Sequence, residues 1–366
     1  KIVIRFIMKR ILVTGSGGIG GVNFVRALKL FKNDFFIVGT DFNKYYLQFA
    51  DLDQRVISPR HSDPNFIPLL NKLTEQHKID FLHPQPSSEA LVVSQNLDKI
   101  STKTLLPLSN IISNDKLETQ KTLLTSGIAV AKTKTINDYD LIENAFEELG
   151  GGPLWIRAKS GAGGNLSLLC DTPTEAEYWM KLWILRKKAN FDDFMIQQYL
   201  PKRNIAWDSF WYDGKLISSF TRERLEYPLK HISPSGITGT PTVSKIIVDD
   251  SVNTIGEKAV KSIDKNPHGN YAVDLKEDND GNWYVTEIDS GKFHTTTPLW
   301  GYISTKFLKQ DPYHNLPYLY TMLGLGEISD PGFLGNDIYP EGLHILRHID
   351  CGTWLYKEDG YKEKIL

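Results

Sequence analysis

Three acidic residues late in the chain, Asp274, Glu287 and Asp289, are placed where metal chemistry would need them. Tyr271-Ala-Val-Asp-Leu275 and Trp283-Tyr-Val-Thr-Glu-Ile288 flank the polar turn Asp278-Asn-Asp-Gly-Asn282, which reads as an antiparallel hairpin. Residues two apart on a strand share a face, so Glu287 and Asp289 point the same way, and the facing strand can bring Asp274 beside them. Three carboxylates on one face repel one another unless a hard cation sits among them. Mg2+ prefers one or two carboxylates plus phosphate oxygens. An exposed acidic face is the plain alternative, and basic residues of matching chemistry weigh against it. Arg222 and Arg224 alternate on a strand and offer two forked donors for phosphate or carboxylate oxygens. Arg157 ends another strand just before Ser160-Gly-Ala-Gly-Gly164. A glycine-rich hairpin of that kind can close its amides over a polyphosphate, because no side chains block the approach.

A second glycine cluster points elsewhere. Gly15-x-Gly17-x-x-Gly20 lies between a strand and a helix, and Asp41 ends the next strand, which is the dinucleotide-binding fingerprint in its proper setting. Taken alone it predicts an NAD(P)-dependent oxidoreductase. That reading leaves Arg157, the later glycine loop and the late carboxylates without a role. A non-catalytic nucleotide-binding protein is the third possibility.

The elements that must position these groups follow from periodicity. Residues 8–112 alternate strands and helices, with strands over 10–14, 35–39 and 79–83, and this predicts a parallel sheet covered on both faces. From Asn114 the pattern changes. Helices are expected over 115–126, 141–149 and 175–188. Strands are expected over 154–157, 166–169, 194–199, 205–212 and 215–220, with Asp213-Gly214 as a hairpin turn. The tail after Pro331 is rich in Gly and Pro, and its composition assigns it no role.

Composition sets the class. The chain has 366 residues, 41% apolar and 23% charged, enough for two or three α/β domains. A formal net charge of -2 gives no field that would draw it to nucleic acid or an anionic membrane. The only cysteines, Cys170 and Cys351, are far apart, which fits a reducing cytoplasm and excludes a thiolate metal site. No apolar run approaches the ~20 residues needed to span a bilayer. Residues 1–7 are too short for a signal peptide, and Met8 reads as the natural first residue.

Taken in order, these motifs resemble the ATP-grasp superfamily, in particular its carbamoyl-phosphate-synthetase-like carboxylate–amine ligases, from Met8 to about Leu323. Asn114-Asp-Lys116 with Gly127-Ile-Ala-Val-Ala-Lys-Thr133 is similar to the family's "DK … GIPVPKT" segment, which implies that Lys116 contacts the ATP phosphates. Pro153-Leu-Trp-Ile-Arg157 matches the strand ending in a phosphate-binding basic residue. Ser160, Gly161, Gly163 and Gly164 match the loop over the β- and γ-phosphates. Gln197-Gln-Tyr-Leu200 resembles "QEYL", implying that Gln198, Tyr199 and Leu200 read the adenine edge. Arg222 and Arg224 match the "RxR" strand near the transferred phosphate. Thr286-Glu-Ile-Asp-Ser-Gly-Lys-Phe293 resembles "TEINAGRF", which implies metal ligands at Glu287 and Asp289 and a phosphate-neutralising Lys292. The departures are Asn204 at the usual ribose-binding glutamate, Asp289 for Asn, and Lys292 for Arg.

The resemblance implies an α/β chain: a Rossmann-like pre-ATP-grasp domain (8–112) followed by a two-lobed α+β ATP-grasp domain. Its small lobe would span 113–200, its large lobe 201–325, and a C-terminal extension 326–366. It further implies a cytoplasmic, ADP-forming ligase that uses ATP and Mg2+, with Mn2+ as an alternative ion. Substrates would be a small-molecule carboxylate and an amine or thiol, with Arg157, Arg224 and Lys292 as catalytic residues and Asp274, Glu287 and Asp289 at the metal. A homodimer is compatible with this reading; nucleic-acid and membrane partners are not expected. Substrate-facing candidates are the 83–88 loop, His294, Thr295, Thr296 and Arg347.

Overall fold

The computed structural model describes residues 8–113, 115–159, 166–348, 352–357, 359 and 361–365. Its strands sort into three sheets that follow one another along the chain.

The first sheet is parallel. It contains β1 (Lys9–Thr14), β2 (Phe35–Asp41), β3 (Gln54–Ile57) and β4 (Phe81–Pro84), in the order β3-β2-β1-β4. Helices α1 (Ile19–Leu28), α2 (Phe66–His77) and α3 (Ser87–Gln95) cover it, and the short α4 (Ser109–Ile112) follows. The alternation along β1 sorts the two faces. Ile11 and Val13 pack with Phe24, Val25 and Leu28 of α1, whereas Leu12 packs with Phe66, Leu70 and Leu73 of α2. Strand β3, absent from the sequence expectations, is an edge strand whose Gln54 and Arg55 are exposed, so it lacks an apolar signature.

The second sheet is antiparallel and follows α5 (Lys116–Thr125), whose N-terminus is capped by Asp115 through the amides of Leu117 and Glu118. It contains β5 (Thr133–Thr135), β6 (Leu154–Ala158), β7 (Leu168–Cys170) and β8 (Phe194–Gln198), in the order β5-β8-β6-β7. Helices α6 (Leu141–Glu148) and α7 (Pro173–Leu185) pack Phe146 and Met180 onto Leu154, Ile156 and Ile196.

The third sheet has eight antiparallel strands. They are β9 (Asn204–Tyr212), β10 (Lys215–Glu226), β11 (Val243–Ile247), β12 (Gly269–Glu277), β13 (Trp283–Ser290), β14 (Leu343–His348), β15 (Gly352–Lys357) and β16 (Lys362–Lys364). Their order is β13-β12-β9-β10-β11-β14-β15-β16. Asp213 and Gly214 both have positive φ, 49° and 75°, and make the expected tight turn between β9 and β10. Helix α8 (Asp250–Ile263) covers one face through Trp207 and Trp211. On the other face, α9 (Thr297–Lys306) and α10 (Leu316–Leu325) share one core with Phe210, Phe220 and Ile246 of the third sheet and with α1 of the first. The first and third sheets are therefore joined by continuous apolar packing. The stretch after 325, expected as an appended extension, supplies three strands of the third sheet. No helix among the described residues is long and apolar enough to cross a membrane.

Candidate functional site

The three sheets enclose one cleft of about 400 Å³. Strand β6 contributes Trp155 and Arg157, and the stretch from β8 onward contributes Gln197 to Leu200. Strands β9 and β10 supply Asn204, Arg222 and Arg224, and β12 supplies Asp274 and Lys276. Glu287 and Asp289 come from β13, with Lys292 to Thr295 just beyond it. The glycines of the first turn and Gln85 to Ser87 close the far end. The hairpin expected from sequence is present, with Asp274 directly opposite Glu287. A bulge at Thr286 lets the strand bend there, and Glu287 and Asp289 still face the cleft.

The charges are arranged in opposed pairs. Arg157 donates to Glu287 at 2.6 Å, and Lys116 approaches the other oxygen of Glu287 at 3.7 Å. Arg224 donates to Asp274 at 2.5 Å and to Asn204 Oδ1 at 3.1 Å. Lys292 pairs with Asp289 at 3.3 Å. Burial pushes the Asp289 carboxyl up, but Lys292 and His294 outweigh it and hold the group well below the usual carboxylate range. Asp274 is likewise lowered against its burial, chiefly by Arg224. Burial lowers Lys116, opposed by Glu287. Lys276 is pushed down to about 8 by burial and by the neighbouring Arg157 and Arg224.

Sequence reasoning missed the buried chain behind this row. Arg222 and Asp208 are almost wholly buried and bond at 2.9 Å, and Thr297 donates to the second Asp208 oxygen at 2.6 Å. Arg222 also donates to His294 Nδ1 at 2.9 Å, so that nitrogen is an acceptor. The ring proton then lies on Nε2, which donates to Asp289 at 3.0 Å. One relay thus runs Asp208–Arg222–His294–Asp289. Its signal was legible: Asp208 interrupts the apolar run Ile205-Ala-Trp-Asp-Ser-Phe-Trp211, and a buried carboxylate requires a partner.

Most predicted site residues converge on this cleft: Arg157, Gln198, Tyr199, Leu200, Arg222, Arg224, Asp274, Glu287, Asp289 and Lys292 all line it. Lys116 does not. It lies behind Glu287 in a small separate cavity. Ser160, Gly161, Gly163 and Gly164 lie outside the described residues. The three carboxylates line the same cleft, as the hairpin predicts, but each also takes a basic partner: Glu287 meets Arg157 from β6, Asp274 meets Arg224 from β10, and Asp289 meets Lys292 just beyond its own strand. No group of three or more His, Cys, Asp or Glu side chains close enough to hold a metal occurs among the described residues. Of the other candidates, His294 and Thr295 line the cleft, while Arg347 reaches its wall and bonds Thr240 and Pro241 O. His83 is buried, hydrogen-bonds Gln85 and Tyr320, and is pushed down to about 4 by burial.

The first glycine turn is built differently. Gly15 takes φ +57°, and a Cβ on Gly17 would sit 2.4 Å from the Tyr46 backbone, so both glycines are required by crowding. Asp41 accepts from the amides of Gly17 and Asn43 at 3.1 and 2.8 Å. The acid of the dinucleotide fingerprint is thus spent on its own loop. Glu89 is buried beside Gly15, and burial, with Asp41 adding, pushes it up to about 7.

No family model matches the sequence, and no curated protein does. Solved structures do. The N5-carboxyaminoimidazole synthetase of Staphylococcus aureus matches at TM-score 0.63 and 16% identity, over 89% of this chain and 80% of that one. The biotin carboxylase domain of the 2-oxoglutarate carboxylase of Hydrogenobacter thermophilus, solved as a dimer with MgADP, ADP and bicarbonate, matches at TM-score 0.68 and 14% identity, over 93% and 74%. An L-amino acid ligase of Bacillus licheniformis matches at TM-score 0.63 and 10% identity, over 92% and 78%.

Proposed function

We propose, from the ATP-grasp fold that this chain has in common with those structures, that it is an ADP-forming ligase joining a carboxylate to an amine, or to a thiol, through an acyl phosphate. The observation that carries the reading is the charge layer: five cations and three carboxylates line one cleft. The residues present fit a magnesium nucleotide. The cations outnumber the carboxylates, as a polyanion requires, and Glu287 and Asp289 are oxygen donors suited to a hard cation. Gln198 also keeps a buried side-chain oxygen without a hydrogen-bond partner among the described residues.

On this reading Glu287 and Asp289, with Asp274, hold Mg2+. Arg157, Arg222, Arg224 and Lys292 meet phosphate oxygens, Lys116 braces Glu287 from behind, and Gln198 to Leu200 lie along the adenine edge. The bound Mg-ATP supplies the phosphoryl group and its neutralisation. The substrate carboxylate, already ionised at neutral pH, needs no general base to attack the terminal phosphorus. As that bond forms and the bond to ADP breaks, Arg157 and Arg224 exchange their carboxylate partners for phosphate oxygens and stabilise the spreading charge. The amine then displaces phosphate from the acyl group. His294, fixed by Arg222, keeps Asp289 ionised and aimed. Residues 8–112 would form the pre-ATP-grasp unit, 113–200 the small lobe and 201 onward the large lobe.

Calorimetry with Mg-ADP, Mg-ATP, NADH and NADPH tests the nucleotide. Binding of the adenine nucleotides in the micromolar range, about -7 to -8 kcal/mol, with silence from the nicotinamides, is the expected outcome. Tight NADH binding without ATP binding would sink it. Phosphate release that depends on added carboxylate and amine separates a ligase from a nucleotide sensor.

A further inference from the structure

Of the five cations lining the cleft, four have a carboxylate partner. Arg157 has Glu287, Arg222 has Asp208, Arg224 has Asp274 and Lys292 has Asp289. Lys276 has none: among the described residues its ammonium makes no ion pair and no hydrogen bond. It lies 5.2 Å from the centre of the Trp155 ring, which holds a cation but does not neutralise it. Residues 160–165, which follow β6, carry no acidic side chain that could serve. A partly buried cation beside two arginines destabilises the fold, and an uncharged side chain of the same length would avoid that cost. The position therefore has the character of an anion-binding site.

Its place on β12 says which part of a ligand it meets. Asp274 and Lys276 are two apart on one strand and both face the cleft, so they lie about 7 Å from each other. Asp274 stands at the end where Arg224 and Glu287 gather. Lys276 pairs across the sheet with Asn204, beside the segment Gln198 to Leu200. We propose that Lys276 grips a phosphate of the bound nucleotide that is not transferred, the one nearest the ribose, and that it thereby sets nucleotide affinity. This inference rests on the proposed function. It also gives the chain a phosphate contact from the large-lobe sheet that its sequence motifs do not indicate.

The test is Lys276→Met, with Lys276→Arg beside it. Competition calorimetry against Mg-ADP should show AMP and ADP binding about tenfold weaker to Lys276→Met, one lost charge-assisted contact. Adenosine should bind it as it binds the wild type, and Lys276→Arg should recover most of the AMP and ADP affinity. The KM for ATP should rise more than kcat falls. The free Lys276→Met protein should melt at the same temperature or higher, so misfolding is not an explanation. Unchanged ADP affinity would overturn the inference, as would an equal loss for adenosine, which would place the contact on base or ribose. A fall in kcat at constant KM would also overturn it, since it would place Lys276 on the transferred group. Wild-type protein that binds no adenine nucleotide would instead overturn the proposed function, and this inference with it.

Discussion

The first glycine turn and the charge layer across the cleft are two answers to one sequence signal, a strand running into glycines. At the turn, the glycines serve the backbone: Gly15 needs its positive φ and Gly17 must clear Tyr46. The acid that follows, Asp41, satisfies the loop's own amides, and a second acid, Glu89, is buried behind it. At the charge layer, Arg157, Arg224, Asp274 and Glu287 come from four strands: Arg157 meets Glu287 across the gap between two sheets, and Arg224 meets Asp274 within the third sheet. Glycines report crowding as readily as they report phosphate. Both signs of charge delivered to one cleft are the more specific mark of a polar ligand site.

The largest expected effect lies in the charge layer. Glu287→Gln keeps the shape and removes the charge proposed to hold Mg2+. Turnover should fall 100- to 1000-fold, about 3–4 kcal/mol of transition-state stabilisation. Steady-state phosphate release measures it, and near-normal turnover would reduce the layer to ordinary surface pairing. Next in size is the turn's hidden acid. Glu89 has a folded pKa of about 7, above its ordinary 4.5, so the folded state keeps a proton that the unfolded chain gives up. The stability from this group is complete below pH 4.5 and is lost as pH rises through 7, about 3 kcal/mol in all. Urea unfolding at pH 5 and pH 8 should show that slope, and Glu89→Gln should flatten it. A wild-type slope of the opposite sign would refute the assignment.

Asp41→Asn leaves one of two loop amides without its acceptor and should cost about 1–2 kcal/mol of stability. Affinity for Mg-ADP should not change. If this variant instead abolished nucleotide binding while Glu287→Gln did not, the two regions would have to exchange roles. The smallest effect is expected from Asp289→Asn, a loss of less than tenfold in turnover, about 1 kcal/mol. The amide oxygen can still ligate a cation and accept from His294.

Much of this is legible in the sequence, and the reasons for the rest are physical. The parallel sheet was readable because β1, buried on both faces, is a continuous apolar run. The late hairpin was readable because its turn is polar and its strands are not. Strand β3 was not, since an edge strand need not be apolar. Nor were β14 to β16: β14 takes its place through long-range pairing with β11, and β15 and β16 are added beside it by local pairing. In the site, residue types were readable and partnerships were not. Three carboxylates on a hairpin look like a repelling cluster until β6 and β10 place an arginine against two of them. Lys276 carried no motif and emerges only as the cleft-lining cation without a carboxylate partner among the described residues.

The late arrival of β14 also bears on how the protein is made. Strand β11 pairs with β10 on one side and with Leu343–His348 on the other, and those residues follow it by most of a domain's length. At typical synthesis rates the outer edge of β11 stays open for about 5–20 s before its partner leaves the ribosome. Its sequence, Val243-Ser-Lys-Ile-Ile247, is the kind that recruits stray strands, and the central Lys245 is a charge placed to discourage them. A ribosome that stops short of residue 343 would release a chain with most of the charge layer already encoded and a sticky sheet edge beside it. Such chains should appear in the insoluble fraction of a cell and not among its partly active enzymes.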